Sequence, residues 1–390
     1  MAHWISMEEA CTALGVRPQT LYAYVSRGKL EMTPDSADTR RSLYRAEDVQ
    51  RLAARKQSGR KRETLATNTL FGAEPSIPTA LSTFVRGHPH YRGQDAVALA
   101  RTASLEDMAG LLWGTERDVV FTQPGLQPPD PAGRVAAFVR LATLAATGHS
   151  TRGRTTRVLH DEAQGLVGQL ALAFGAVPSP GQPLHKAFAK GWRQPVAVAE
   201  LFRTAMVLLA DHELTSSAFT ARIAASTGAS LSACLLAGLT TFSGPLHGDA
   251  SVRVRALFDE VARLGEERVV DHYLSAALPI PGFGHHLYPD GDPRAAALLD
   301  LFEPPVPIAR FIAKVQSLSG LKPNIDVALA SLVARYRLPI DAAFALFATA
   351  RSVGLLAHAM EQLSTAQVIR PRGRYTGLMP AALAQGRPTR

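Results

Sequence analysis

Cysteine is nearly missing from this chain: Cys11 and Cys234 are the only thiols in 390 residues. That excludes a disulfide-stapled scaffold and a thiolate metal site built from neighbouring cysteines, and both are read as ordinary buried thiols. Charge is also sparse, at 19% of residues against 46% hydrophobic, which excludes a mainly disordered chain. No apolar run reaches the roughly 18–20 residues of a membrane span, and the richest stretch, Leu231 to Leu239, is short and broken by Gly238. The first residues, Met1-Ala2-His3-Trp4-Ile5-Ser6, lead into acids rather than into a basic-then-apolar leader. The expected compartment is therefore the cytoplasm, with no membrane partner. The length suits two or three domains with sizeable cores.

The net charge of +9 points to anionic partners. Much of the excess lies early, in Arg17, Arg27, Lys29, Arg40, Arg41, Arg45, Arg51, Arg55, Lys56, Arg60, Lys61 and Arg62. Locally, Ser6 and Glu9 read as a capping box opening a helix at about Met7 that stops at Gly15. Pro18 suits the first turn of a second helix, Gln19 to Arg27, terminated by Gly28. Leu30-Glu31-Met32 and Ser42-Leu43-Tyr44 flank a polar loop as a hairpin or wing, and a third helix starts near Ala46. The arrangement over residues 1–56 resembles the winged helix-turn-helix of MerR and excisionase proteins. That resemblance implies DNA binding, with Gln19, Thr20, Tyr22 and Arg27 as groove and phosphate candidates and Arg40, Arg41 and Arg45 gripping the backbone from the wing. A helical module for subunit or partner contacts is the open alternative. A basic linker, residues 57–74, follows.

Beyond it the chain reads as nearly all helix. Apolar residues recur at helical spacing over Val135 to Leu144, Leu166 to Phe174, Pro195 to Leu209, Ala218 to Leu239, Val252 to Leu264, Ala295 to Phe302, Val306 to Leu318, Ile325 to Ala334 and Ile340 to Gln362. Three segments carry chemistry: Ser243-Gly244-Pro245-Leu246-His247-Gly248; Pro281-Gly282-Phe283-Gly284-His285-His286-Leu287-Tyr288 with Asp292-Pro293-Arg294; and Lys322-Pro323-Asn324-Ile325-Asp326. Histidines and a carboxylate beside Gly and Pro are parts for general acid-base work on a carbonyl compound, which needs a base at carbon and donors at oxygen. Arg294, Arg351 and Arg370 are suited to clamping carboxylates.

In this order, and with Ala210-Asp211-His212-Glu213, Ala350-Arg351-Ser352-Val353-Gly354 and Ile369-Arg370-Pro371-Arg372 around them, the segments resemble the citrate synthase family. The resemblance implies an all-α, two-lobed fold, with a large lobe over residues 75–248 and 338–390, a small lobe over 249–337 and the site in the cleft. It implies Asp326 as the base that deprotonates the acyl-CoA methyl, His247 as donor to the thioester oxygen, and His285, in preference to His286, as the group polarising the ketone. His212, Arg294, Arg351 and Arg370 would bind the dicarboxylate, Arg370 from across a homodimer interface. The implied reaction is acetyl-CoA, or another short acyl-CoA, plus oxaloacetate and water giving citrate and CoA, with no metal and no resident cofactor. A DNA-binding regulator whose synthase-like portion senses a metabolite is the alternative.

Several positions depart from the family's pattern. His286 stands where Arg is frequent and Pro289 where a basic residue is. Asp249-Ala250-Ser251 replaces Gly-Ala-Asn, so Asp249 is expected to raise the pKa of His247 if it points inward. Val327 is smaller than the usual aromatic and is expected to alter acyl or oxo-acid selectivity.

Overall fold

Several helix starts in this chain are set by small polar side chains placed where backbone N–H groups run out of partners. Ser104 and Asp107 form a reciprocal capping box on helix Leu105–Trp113, and Gly114 closes it in the left-handed region. Thr155, Thr215 and Ser230 each accept a backbone N–H at the start of helices Thr156–Ala173, Ser216–Ser226 and Leu231–Phe242. In the computed structural model residues 4–52, 77–121, 127–365 and 367–371 are described, apart from residues 15, 17, 27, 28, 36, 37, 39, 40 and 51. Pro78–Arg370 forms one unit, and the chain up to Ile77 belongs to another.

In the N-terminal unit, Ser6 and Glu9 make the expected capping box, with Ser6 N donating to Glu9 Oε2 at 2.8 Å and Glu9 N to Ser6 Oγ at 3.3 Å. Helices Met7–Leu14 and Pro18–Ser26 follow, and helical residues recur at 46–50. Strands Trp4–Ser6, Ser42–Arg45 and Met32–Pro34 pair antiparallel in that order. Ala10, Leu14, Leu21, Leu30, Tyr44 and Val49 make its core. Cys11 flanks that core and is only partly buried, unlike Cys234, because it sits one helical position off the inward-facing Ala10.

In Pro78–Arg370, the long helix Ala342–Ser364 is packed by helices Ser216–Ser226, Leu231–Phe242, Val196–Leu209, Leu105–Trp113 and Thr156–Ala173. By length and composition it would cross a membrane, contrary to the sequence expectation; 94% of its most apolar window is buried inside the protein. A second, smaller core is built from helices Ala250–Leu264, Glu266–Ser275 and Val306–Ser319 around Val254, Phe258, Val270, Phe311 and Val315. Helix Ile325–Tyr336 serves both: Ile325, Ala328, Leu329 and Leu332 enter the main core, while Val327 and Ala330 enter the smaller one. Asp326 is thus carried where the two cores meet.

Two sequence expectations need correction. The single helix over Ala218 to Leu239 is two, broken at Gly228 with φ 83° and restarted by the Ser230 cap. The nearly all-helical reading also missed a small sheet, Ser82–Val85, His88–Tyr91 and Gln94–Asp95, paired in sequence order. Its turns are Arg86-Gly87 and Arg92-Gly93, all four residues at positive φ, the geometry that matches two-residue hairpins to strand twist.

Candidate active site

Two of the motif loops are stitched together through their backbones. Gly284 N donates to Lys322 O and Asn324 N to Gly282 O, both at 2.8 Å, around a Phe283–Pro323 bridge. Gly282 has φ 84°, and a Cβ there would lie 2.5 Å from Val327 and 2.7 Å from Val254. Only glycine fits, so the loop bearing His285 is locked to the helix start bearing Asp326. Asn324, not Asp326, caps that helix: its Oδ1 accepts from Asp326 N at 3.0 Å. The Asp326 carboxyl is left over, with Oδ1 buried and unpartnered among the described residues. Burial, against the pull of Arg294 and with the push of Asp292 and Asp249, raises its pKa to about 7.

Asp292, beside it, has the opposite environment. Its Oδ1 accepts from Arg294 Nε at 3.0 Å and Oδ2 from Arg294 Nη2 at 2.8 Å, and Oδ2 also takes Ile325 N at 3.0 Å. Burial opposes its charge, but Arg294 and these N–H donors hold its pKa below the usual carboxylate value. Pro293 at the first helical turn and Asp292 as cap read directly from the Asp-Pro-Arg triplet.

Two histidines, His212 and His285, feel the charge of Arg294 at this corner, and a third, His247, feels that of Arg351. His212 Nε2 meets Tyr288 Oη at 2.8 Å, and the His212 and His285 rings lie edge to face with centroids 5.7 Å apart. The Arg294 guanidinium lies 5.1 Å from the Tyr288 ring centroid. His285 Nδ1 accepts from Leu287 N at 3.2 Å, so in its neutral form the proton sits on Nε2. His286 is exposed and stacks on His285 at 4.8 Å. His247 lies over Phe242, centroids 5.2 Å apart, and its Nε2 pairs with Ser217 Oγ at 2.8 Å. Burial pushes both His247 and His285 down to about 4, helped by Arg351 and Arg294 respectively, and pushes His212 well below its usual range. All three are therefore neutral near pH 7, able to donate without carrying charge.

Arg351 is buried; its Nε donates to Leu209 O at 3.0 Å, while Nη2 has no partner among the described residues. Desolvation lowers its pKa, against the counter-charge of Asp211. Asp211 is gripped by Ser82 Oγ and lies 3.4 Å from His358 Nε2. His358 in turn accepts from Arg222, whose other partners are Glu361, Gln362 and the carbonyl of Pro78. The small sheet supplies Ser82 and also Phe84, whose ring packs 4.9 Å from His212 and 5.7 Å from Tyr288. A buried guanidinium with an unused nitrogen, beside neutral histidines and an unpartnered carboxyl, suits an anionic carbonyl substrate.

The family profile "Citrate synthase, C-terminal domain" matches residues 131–372. The chain belongs to the citrate synthase family. Citrate synthase of Haloferax volcanii is 34% identical over 195 residues, 46% of this chain and 51% of that protein. Citrate synthase 2 of Bacillus subtilis is 35% identical over 197 residues, 47% and 52% of the two chains. The matched stretches thus span about half the length of these curated relatives. Among solved structures, citrate synthase of Thermotoga maritima superposes with TM-score 0.65 at 23% identity, covering 80% of this chain and 96% of that one. Citrate synthase of Thermoplasma acidophilum, solved as a ternary complex with carboxymethyl coenzyme A and oxaloacetate, gives TM-score 0.65 at 21% identity over 80% and 97%. The helical fold of the citrate synthase family is therefore the fold of the 80% of this chain that those structures cover.

Within that family frame, two expected departures resolve differently. Asp249 does not turn toward His247: both its oxygens are bound by Arg134, at 2.6 and 2.8 Å, and burial rather than Asp249 governs the histidine. Val327 is fully buried in the smaller core against Gly282 and Val254, so its size is set by packing there. Arg370 is not brought to the cluster in its own chain. It is exposed, and Ile369 N is anchored on Ser226 Oγ at 3.1 Å, at the opposite end of the helix that carries Ser217. Those two serines are nine residues apart, about 13 Å along a helix.

In the separate N-terminal unit, Gln19, Thr20 and Tyr22 are exposed on helix Pro18–Ser26. Arg41 lies 3.4 Å from Asp38, and Arg45 is paired with Glu31 at 2.8 Å and Glu47 at 3.3 Å. Arg27, Arg40, the linker 57–74 and Arg372 lie outside the described residues. Among the described residues no group of His, Cys, Asp or Glu is placed to hold a metal ion. Sequence reasoning assigned no role to Ser217, Tyr288, Asp292, Asp211, His358 or Arg134. Tyr288, Asp292 and Asp211 stand within the motifs, Ser217 and His358 each lie four residues beyond one, and Arg134 had no local signal.

Proposed function

We propose that this chain is a condensing enzyme that joins an acyl-CoA to a 2-oxo dicarboxylate, most simply acetyl-CoA and oxaloacetate to citrate and CoA. The observation that carries the reading is the Asp326 carboxyl, with a buried oxygen unpartnered among the described residues and a pKa of about 7, together with three motif histidines that are neutral at that pH. Asp326 takes a proton from the thioester methyl, and His247, whose Nε2 is occupied by Ser217, donates through Nδ1 to the thioester oxygen. The enol carbon attacks the ketone, which His285 polarises through Nε2–H and then protonates as alkoxide. Water cleaves the thioester and releases CoA. Arg294, Arg351 and His212 hold the carboxylates, the partly unused Arg351 guanidinium being the clearest anion donor. Family similarity favours this reading over a regulator that merely senses a metabolite.

The test is thiol release by the purified protein with acetyl-CoA and propionyl-CoA against oxaloacetate and other 2-oxo acids. Release of CoA dependent on both substrates is expected; no release with any pair refutes the reading. Arg370 acts from the partner subunit of a homodimer on this proposal, since its own chain anchors it away from the histidines. Mixing inactive Arg370→Ala with inactive Asp326→Asn then regenerates activity in exchanged dimers, and exchange without recovery removes Arg370 from the site. For the N-terminal unit we infer DNA binding, supported by the exposed Gln19, Thr20 and Tyr22 and by the early basic excess. Selection of genomic fragments is expected to yield one enriched site that Thr20→Ala weakens. Binding without sequence preference would leave only a partner-contact role.

A further inference from the structure

The turn bearing His247 is fastened from two sides. On one side is the ring of Phe242, which lies under His247 and Gly248. On the other is Asp249, whose carboxylate is held by both terminal nitrogens of Arg134 at 2.6 and 2.8 Å. Arg134 opens helix Arg134–Thr147, which packs on Leu231–Phe242 in the main core, whereas Asp249 opens helix Ala250–Leu264 of the smaller one. The guanidinium also lies over Phe344, its carbon 3.8 Å from the ring centroid, and Phe344 packs 5.7 Å from Phe242. The contacts therefore close a circuit: His247 to Phe242, to Phe344, to Arg134, to Asp249, and back to His247 through the backbone of Gly248.

We infer that Arg134 and Asp249 form a positioning pair that holds the His247 turn in place across the junction of the two cores. Several features make the pair consequential. A bidentate fork constrains direction as well as distance, which a lysine at position 134 would not. The Asp249 side chain is only 13% exposed and Arg134 30%, so water replaces either partner poorly. Arg134 Nε is already buried without a partner among the described residues, which makes its remaining bonds to Asp249 harder to give up. The Asp249 side chain makes no cap on its own helix, so its carboxylate is committed to Arg134. A second strut, Arg255 Nη1 to Ile340 O at 2.9 Å, crosses the same junction without touching the turn.

The catalytic part of this inference rests on the condensing-enzyme reading, so the test has one arm independent of turnover. Hydrogen exchange of the full chain without substrate is compared for the parent, Arg134→Met, Arg134→Lys and Asp249→Asn. Amides of residues 243–250 are expected to exchange about tenfold faster in Arg134→Met and Asp249→Asn, while those of 285–288 stay unchanged. In turnover, a displacement of about 1 Å at His247 predicts kcat lower by about 10- to 100-fold with KM for the oxo acid within about threefold. Arg134→Lys should recover part of that loss. Arg134→Met combined with Asp249→Asn should be no slower than the slower single variant. Kcat within twofold of the parent in both single variants overturns the proposal, as does unchanged exchange at 243–250, or fully additive losses. Should Arg134→Met not fold, Asp249→Asn and Arg134→Lys decide alone. A parent without any CoA release defeats the functional reading, and exchange then judges the pair.

Discussion

Asp292 and Asp326 both feel the charge of buried Arg294, yet their surroundings set them apart. Asp292 is saturated with donors, and although buried it is held ionised below the ordinary carboxylate range. Asp326 has surrendered the helix cap to Asn324, keeps a buried oxygen without a partner among the described residues and is pushed up to about 7. Both are deprived of water; what differs is whether N–H groups replace it. A carboxylate with every lone pair occupied serves as a structural anion, and on the proposed reading the one left short of donors serves as the base.

The sharpest way to break that comparison is to neutralise each in turn. On the proposed reading Asp326→Asn keeps shape and removes the base, so kcat is expected to fall about 10²–10⁴-fold with oxo-acid binding retained. Near-normal steady-state turnover would end its assignment as base. Asp292→Asn should instead cost stability, on the order of 3–5 kcal/mol, because Arg294 is left buried without its counter-charge. Denaturant unfolding reads that loss, and an unchanged midpoint would mean the pair is dispensable.

Acidity sharpens the contrast. On the proposed reading kcat/KM should climb about tenfold per pH unit below the Asp326 pKa of about 7 and level off above it. A profile flat from pH 5 to 8 contradicts the raised pKa. For stability the signs run oppositely. Asp326 is raised above its unfolded value of 3.8, so the folded state keeps a proton the unfolded state has lost, and stability from this group falls between about pH 4 and 7. Asp292 is depressed, so its contribution is present above 3.8 and is lost as pH falls through its folded pKa. Asp326→Asn should therefore melt higher than the parent at pH 8, by on the order of 5 °C, and nearly together with it at pH 4. Equal melting temperatures at both pH values would show that Asp326 carries no burial cost.

How much of this was legible in the sequence depends on how local each device is. The Asp292-Pro293-Arg294 corner could be read from three letters, because cap, first-turn proline and ion pair are neighbours in the chain. The His285 and Asp326 loops were visible through glycines and prolines, although their mutual stitching, some forty residues apart, was not. The sheet Ser82–Asp95 was missed since its strands are at most four residues long and its alternation is brief; the two Arg-Gly turns were its only signal. Arg134 and Asp249 are 115 positions apart, and neither carries a mark of the other. Long-range ion pairs depend on packing that periodicity does not encode.

The smallest expected effect carries the same question from carboxylates to histidines. His285 is fixed by a backbone N–H from Leu287, which no side-chain substitution can remove, whereas His247 leans on one hydroxyl, Ser217 Oγ at 2.8 Å. Ser217→Ala leaves Nε2 of a largely buried imidazole without its partner, a loss on the scale of ~1 kcal/mol. If His247 serves the transition state more than the bound substrate, that loss should register as a fall in kcat of about three- to tenfold with KM nearly unchanged. Ser217→Thr, which keeps the hydroxyl, should stay close to the parent. A rise in KM without change in kcat would place the hydroxyl in ground-state binding. Equal losses in the Ala and Thr variants would trace the effect to packing on helix Ser216–Ser226 instead of to the hydrogen bond.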